Sequence, residues 1–126
     1  MKKYIQEAVD YLKNKGFDTP EIGIVLGTGL GKLVDEIEKE STASYNHIPN
    51  FPTATVEFHQ GKLIYGTLAG KKVIVMQGRF HLYEGYSTYD VTFPIRVMHQ
   101  LGIKKLLVSN AAGAINKKFK KGELML

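Results

Sequence analysis

Apolar residues recur at helical spacing at Tyr4, Ile5, Ala8, Val9 and Leu12, and Gly16 stands where a left-handed terminator belongs, so residues 3–15 read as an amphipathic helix. After Pro20 the pattern changes to a short apolar run over residues 22–26, of strand type. Glycines at 27, 29 and 31 follow, and then helix-forming residues over 32–38. Residues 43–61, with Pro49 and Pro52, read as an extended, loop-rich connection. Two β-prone runs, 62–68 and 72–77, flank Ala69, Gly70 and Lys71 and predict a hairpin. Residues 78–89 show no period and read as a loop. Helical spacing returns through Val91, Ile95, Val97, Met98 and Leu101, with Ser87 or Thr88 available as a cap, Pro94 near the start and Gly102 closing. Residues 103–109 predict another apolar strand, running into the small-residue turn 110–113, and 123–126 reads as the start of one more. Helices alternating with apolar strands predict an α/β fold: a single domain with a twisted mixed β-sheet flanked by helices. In such sheets ligands gather at the carboxyl ends of strands, and the glycine-rich or polar segments at 27–31, 78–86 and 110–113 all fall there.

The 126 residues suit one domain that buries about two-thirds of the surface its unfolded chain exposes. Without cysteine there is no disulfide framework, thiolate zinc site or cysteine nucleophile. The amphipathic amino terminus lacks a signal-type apolar core, and no apolar run approaches the roughly 20 residues of a membrane span, so a cytoplasmic address without membrane attachment is the expectation. The net charge of +5 is local: residues 104–126 hold six lysines against Glu123, while the first 103 residues carry eleven charges of each sign. One cluster of lysines with a single aromatic, Phe119, reads as a solvated turn and not as a nucleic-acid interface.

Three segments carry candidate chemistry. In Gly27-Thr28-Gly29-Leu30-Gly31 the glycines let backbone N–H groups point into one concavity ahead of a helix start, which suits an anion or, equally, a plain tight turn. A dinucleotide fingerprint fails because Lys32 stands where a third glycine belongs. A nucleotide-triphosphate loop fails because no Gly-Lys-Ser/Thr ends the motif. In residues 78–86, an extended backbone would place Arg79, His81 and Tyr83 on one face and anchor Phe80 and Leu82 on the other. Arginine grips phosphate through paired N–H bonds, histidine donates to a phosphate or sugar oxygen, and tyrosine bonds a sugar hydroxyl. His59, beside Gly61, reads as a ligand or as an exposed residue; His47 and His99 read as structural. Four histidines without cysteine or HxxxH spacing predict no metal site. The turn at 110–113 could offer a backbone N–H or simply pack closely.

Taken in order, Gly27-Thr28-Gly29-Leu30-Gly31, Ile48-Pro49-Asn50-Phe51-Pro52, the run from Met76 to Tyr86, Val91-Thr92-Phe93-Pro94 and Asn110-Ala111-Ala112-Gly113 resemble the corresponding segments of the trimeric-type purine nucleoside phosphorylases. The similarity spans nearly all of residues 20–126. It implies a nucleoside phosphorylase-like sheet and phosphorolysis of purine ribo- and deoxyribonucleosides, with inorganic phosphate as co-substrate and no metal or organic cofactor. It also implies a homotrimeric assembly. By that resemblance phosphate would meet Thr28, His59, Arg79, His81 and the backbone N–H of Ala111, with His81 and Tyr83 at the ribose and His81 and Arg79 as the catalytic pair. Thr28 departs from the commoner serine but keeps the hydroxyl. Family chains are roughly twice as long, so residues 1–126 read as the amino-terminal half of a single nucleoside phosphorylase domain. The purine-recognising glutamate and asparagine have no counterpart here, and poor turnover by the chain alone is the expectation. A methylthioadenosine-type phosphorylase, a non-catalytic phosphate- or nucleoside-binding fragment, or a chain that completes its sheet with a second polypeptide are the alternatives.

Overall fold

A computed structural model of the chain describes residues 1–27, 30–53 and 61–126. The hairpin forms as its sequence predicts. β3 (Lys62–Leu68) and β4 (Lys71–Gln77) pair antiparallel from Lys62↔Gln77 to Leu68↔Lys71. The two residues between them, Ala69 (φ 50°) and Gly70 (φ 79°), are both left-handed, as a hairpin turn that matches strand twist requires. β4 then lies parallel to β1 (Ile22–Val25), and β1 parallel to β5 (Lys105–Val108). On the other side β3 pairs antiparallel with β2 (Glu38–Ser44). The sheet is therefore mixed, five-stranded and ordered β2-β3-β4-β1-β5, with its parallel half carrying the predicted site segments.

Alternation along the central strands feeds two cores. Ile74 and Met76 of β4, Leu63 and Tyr65 of β3 and Val25 of β1 face α1 (Lys2–Asn14) and α2 (Thr88–Leu101), which bury Ala8, Val9 and Leu12 and Phe93, Val97, Met98 and Leu101 there. Val73, Val75, Ile64, Ile24 and Leu26 face the opposite side, closed by Val34 and Ile37. α2 starts and stops where its sequence says. Ser87 Oγ accepts the Asp90 N–H at 3.1 Å while the Asp90 carboxylate accepts from Ser87 N and Oγ, and Gly102 (φ 117°) ends the helix. Those two donations, the hydroxyl's first, hold the Asp90 carboxyl below its ordinary range.

Three expectations are corrected. Residues 32–38 do not form an α-helix: Gly31–Glu36 is a 3₁₀ helix, and the chain enters β2 at Glu38. β2 itself begins inside the span read as helical and runs into the one read as loop, because the edge strand Glu-Lys-Glu-Ser-Thr-Ala-Ser buries only Ala43 fully and lacks an apolar period. Residues 123–126 form no strand; Leu124 and Leu126 are fully exposed, and no neighbour among the described residues supplies ladder bonds.

Tyr45 ties the core to the site loop. Its ring packs under Phe80 and Phe51, at 5.2 and 5.6 Å between centroids, and its hydroxyl donates to Gly78 O at 2.6 Å. Gly61 must remain glycine beside it, because a Cβ there would lie 2.1 Å from the Tyr45 ring. Burial pushes the Tyr45 phenol far above its ordinary pKa. Removing the hydroxyl in Tyr45→Phe should cost about 1 kcal/mol in denaturant unfolding at neutral pH. The sign reverses in alkali. Above pH ~10 the unfolded phenol releases its proton while the folded one keeps it, so the wild type loses stability as pH rises. The Tyr45→Phe variant should flatten that alkaline decline, and identical slopes for the two proteins between pH ~9 and ~11 would contradict the assignment.

Candidate anion site at the strand tips

At the carboxyl ends of the parallel strands, three chain segments meet. β4 leaves the sheet at Gln77, Gly78 takes φ 91°, and the chain turns so that Phe80 drops into the core while Arg79 stays at the surface, half-buried. Arg79 crosses the tip of β1. Its Nη1 donates to Ser109 O at 2.7 Å, at the end of β5. Its Nε donates to His81 Nε2 at 3.2 Å. An Nε2 that accepts leaves the ring proton on Nδ1, which assigns the 3.1 Å contact between His81 Nδ1 and Glu84 Oε1 as a donation to that carboxylate. Of the five guanidinium N–H groups, the three others have no partner among the described residues.

Ser109 works on the same ground from the other side. Its Oγ accepts the Gly27 N–H at 2.7 Å and lies 3.2 Å from Val25 O, to which the hydroxyl donates. Its own N–H donates to Val25 O at 3.1 Å, prolonging the β1–β5 ladder by one residue. Gly27 is required by close approach, since a Cβ there would come within 2.9 Å of Ser109 O. A single run of hydrogen bonds thus joins Glu84, His81, Arg79, Ser109 and Gly27, bringing the first residue of the glycine-rich turn up to the arginine.

The predicted residues fare differently. Arg79 and His81 are brought together by their 3.2 Å hydrogen bond. Tyr83 stacks on the His81 ring at 4.6 Å and 21°, but it does so from a 3₁₀ turn (Leu82–Glu84) and not from an extended strand, and it is 83% exposed. The same turn corrects the expected anchor: Phe80 is buried, whereas Leu82 is 58% exposed. Ala111 is exposed two residues past Ser109, and its N–H makes no hydrogen bond among the described residues. Thr28 and His59 lie outside the described residues. His47 and His99 are exposed on the surface. Among the described residues no group of three or more His, Asp or Glu side chains could hold a metal, and no helix is long and apolar enough to cross a membrane. Ser109 and Glu84 were missed. Glu84 was detectable as the carboxylate three residues beyond His81, while Ser109 is marked only as the polar residue closing an apolar strand. A shallow depression of about 390 Å³ opens beside this loop between Asn50, Thr53, Tyr86 and Asp90. It shares Glu84 with the site but not Arg79 or Ser109, so it is a neighbouring feature.

Fold and site together define an α/β protein with a cationic cradle where its parallel strands end. The profile of the Phosphorylase superfamily matches residues 21–126, and the chain belongs to that family. Purine nucleoside phosphorylase 1 of Geobacillus stearothermophilus is 55% identical over 97% of the chain, which covers 44% of that relative. Isoform 2 of purine nucleoside phosphorylase from Schistosoma mansoni, solved with cytosine and ribose-1-phosphate, superposes with a TM-score of 0.91 at 48% identity, covering 96% of the chain and 42% of that structure. The same organism's purine nucleoside phosphorylase with inosine superposes with a TM-score of 0.89 at 49% identity. The chain spans less than half the length of these relatives.

Gly27→Ala should force Ser109 O away from residue 27 and disturb the hydrogen bond it accepts from Arg79. A loss of about 1–3 kcal/mol in unfolding free energy is expected from overpacking against backbone, and unchanged stability would show that the strand tips yield freely.

Proposed function

We propose that this chain carries the phosphate- and ribose-facing part of a purine nucleoside phosphorylase site. The carrying observation is Arg79, held by one hydrogen bond across the strand tips to Ser109 O and one within its own loop to His81, with three N–H groups that have no partner among the described residues. The resemblance to relatives solved with ribose-1-phosphate and with inosine supplies the substrate class. In this reading the Arg79 N–H groups and the Ala111 N–H grip inorganic phosphate, with Thr28 and His59 added from the glycine-rich turn and the segment before β3. Tyr83, its ring on His81, faces the pentose.

The chemistry is a substitution at the anomeric carbon. A phosphate oxygen forms the new C–O bond as the C–N bond to the purine breaks. The bonding electrons leave with the base, which takes up a proton, and the sugar passes through an oxocarbenium-like state stabilised by the adjacent dianion. Donors that fix phosphate in line remove much of the entropic barrier. His81 in its Nδ1–H form accepts Arg79 Nε–H at Nε2, which sets the edge of the imidazole beside the phosphate and the pentose. No described residue is assigned to the purine, and assistance to a leaving group is worth about 10²–10⁴ in rate, so the 126-residue chain is expected to bind phosphate better than it turns over. A trimeric assembly and a cytoplasmic address complete the reading.

Calorimetric titration with inorganic phosphate, beside an ultraviolet assay of hypoxanthine release from inosine, tests it. Saturable phosphate binding is expected, reduced at least about tenfold in Arg79→Ala, since a hydrogen bond from a charged group contributes about 1.5–3 kcal/mol. A folded chain that neither binds phosphate nor releases base would overturn the reading. Sedimentation of the same sample reads the trimer.

A further inference from the structure

We infer that Ser109 is the positioning residue of the anion site, holding the glycine-rich turn and the arginine in one fixed relation. The inference rests on the phosphate reading above for the identity of the anion, and on the geometry alone for the latch.

Ser109 is the residue at which both halves of the cradle are fastened. Its hydroxyl takes the N–H of Gly27, the residue from which the 27–31 turn departs, at 2.7 Å. Its carbonyl takes Arg79 Nη1, also at 2.7 Å. The hydroxyl proton is directed to Val25 O at 3.2 Å, which leaves the oxygen lone pairs toward Gly27. A hydroxyl bonded in this way cannot rotate without breaking a contact, so the Gly27 N–H has one orientation. The ladder bond from Ser109 N to Val25 O fixes the backbone beneath it.

The alternatives for this position differ in what they can do. Alanine keeps the carbonyl that holds Arg79 but leaves the Gly27 N–H unbonded, freeing the turn while the arginine stays. Threonine restores the hydroxyl and suits a strand end. Valine has the shape of threonine without the oxygen. A role in packing alone would make threonine and valine equivalent. A latch makes threonine resemble serine, and valine resemble alanine.

The test uses the 126-residue chain as Ser109→Ala, Ser109→Thr and Ser109→Val, with circular dichroism and melting temperature as checks of folding. Hydrogen exchange of the Gly27 amide reads the latch without any ligand, and calorimetry with inorganic phosphate reads its consequence. In alanine and valine the Gly27 amide should exchange about tenfold faster or more, and phosphate should bind about threefold to tenfold more weakly, with threonine near the wild type in both. Unchanged phosphate affinity in folded Ser109→Ala overturns the positioning role, as does an equal loss in threonine and valine. If the wild type ignores phosphate, the proposed function fails and the role given to Ser109 falls with it. The exchange data then still separate that failure from an absent latch.

Discussion

One hydrogen bond, from Arg79 to Ser109 O, constrains the rest of the site. Arg79 follows β4 and Ser109 follows β5, and β1 lies between them. With neighbouring strands about 4.8 Å apart, the guanidinium must reach across roughly two spacings over the tip of β1. Only a long side chain spans that gap, and only an empty path permits it. Gly27 lets the tips of β1 and β5 come together beneath it, because a Cβ there would lie 2.9 Å from Ser109 O. Gly78 supplies the turn that starts Arg79 in the right direction, with φ 91°, a value that L side chains rarely adopt. Gly27 and the adjacent pair Gly78-Arg79, far apart in the chain, thus converge on one residue, Ser109.

An irregular loop holds its functional groups to a fraction of an ångström only if something other than a backbone ladder fixes it. Here a chain of aromatic contacts does so. Phe93 of α2 meets Phe51 edge-on at 5.9 Å, Phe51 meets Tyr45, Tyr45 meets Phe80, and Phe80 meets Tyr86 edge-on at 5.1 Å. Such pairs contribute about 0.5–1.5 kcal/mol each beyond their burial. Phe80 and Tyr86 bracket the loop, and Tyr86 OH also donates to Thr53 O at 2.9 Å. The residues between them therefore project from two fixed points. Arg79 adjoins the first, which explains why its geometry is set while Tyr83, in the middle, stands open to solvent apart from its stack on His81.

The sequence was most informative where a local rule acts alone. The cap of α2 at Ser87 or Thr88 and the hairpin of two β-prone runs across Ala69, Gly70 and Lys71 each depend on residues within a few positions, and each was legible. β2 was not, because an edge strand is fixed by the partner that offers it hydrogen bonds and not by its own polar side chains. The conformation of residues 82–84 was illegible for a related reason: an extended reading buries Leu82, and nothing local reports that the chain turns into a 3₁₀ helix there and leaves Leu82 58% exposed. Arg79 and His81 were legible as residue types in a glycine-bounded run. Ser109 was not, since its importance comes from standing opposite Gly27, 82 positions away, and a serine at the end of a strand has many commoner uses.

The position of that serine ties the site to the least protected part of the sheet. β5 pairs with β1 through four residues and has no strand on its other side among the described residues, and Leu106, Leu107 and Val108 are all more than a third exposed. Leu106 and Leu107 point to opposite faces, so neither face is fully covered. A strand held on one edge opens more readily than a central one, and each opening would take Ser109 away from Arg79 and Gly27 together. The dependence is mutual, because Arg79 and Gly27 also fasten the tip of β5 from outside its ladder. Anything that packs on Leu106 or Leu107 and holds β5 in place must then favour the contacts of Ser109 with Arg79 and Gly27, and whatever strengthens those contacts must favour the packed strand. By linkage the two effects are equal in free energy, so the hydrogen bonds gathered at Ser109 and the cover of the strand that carries it form one equilibrium.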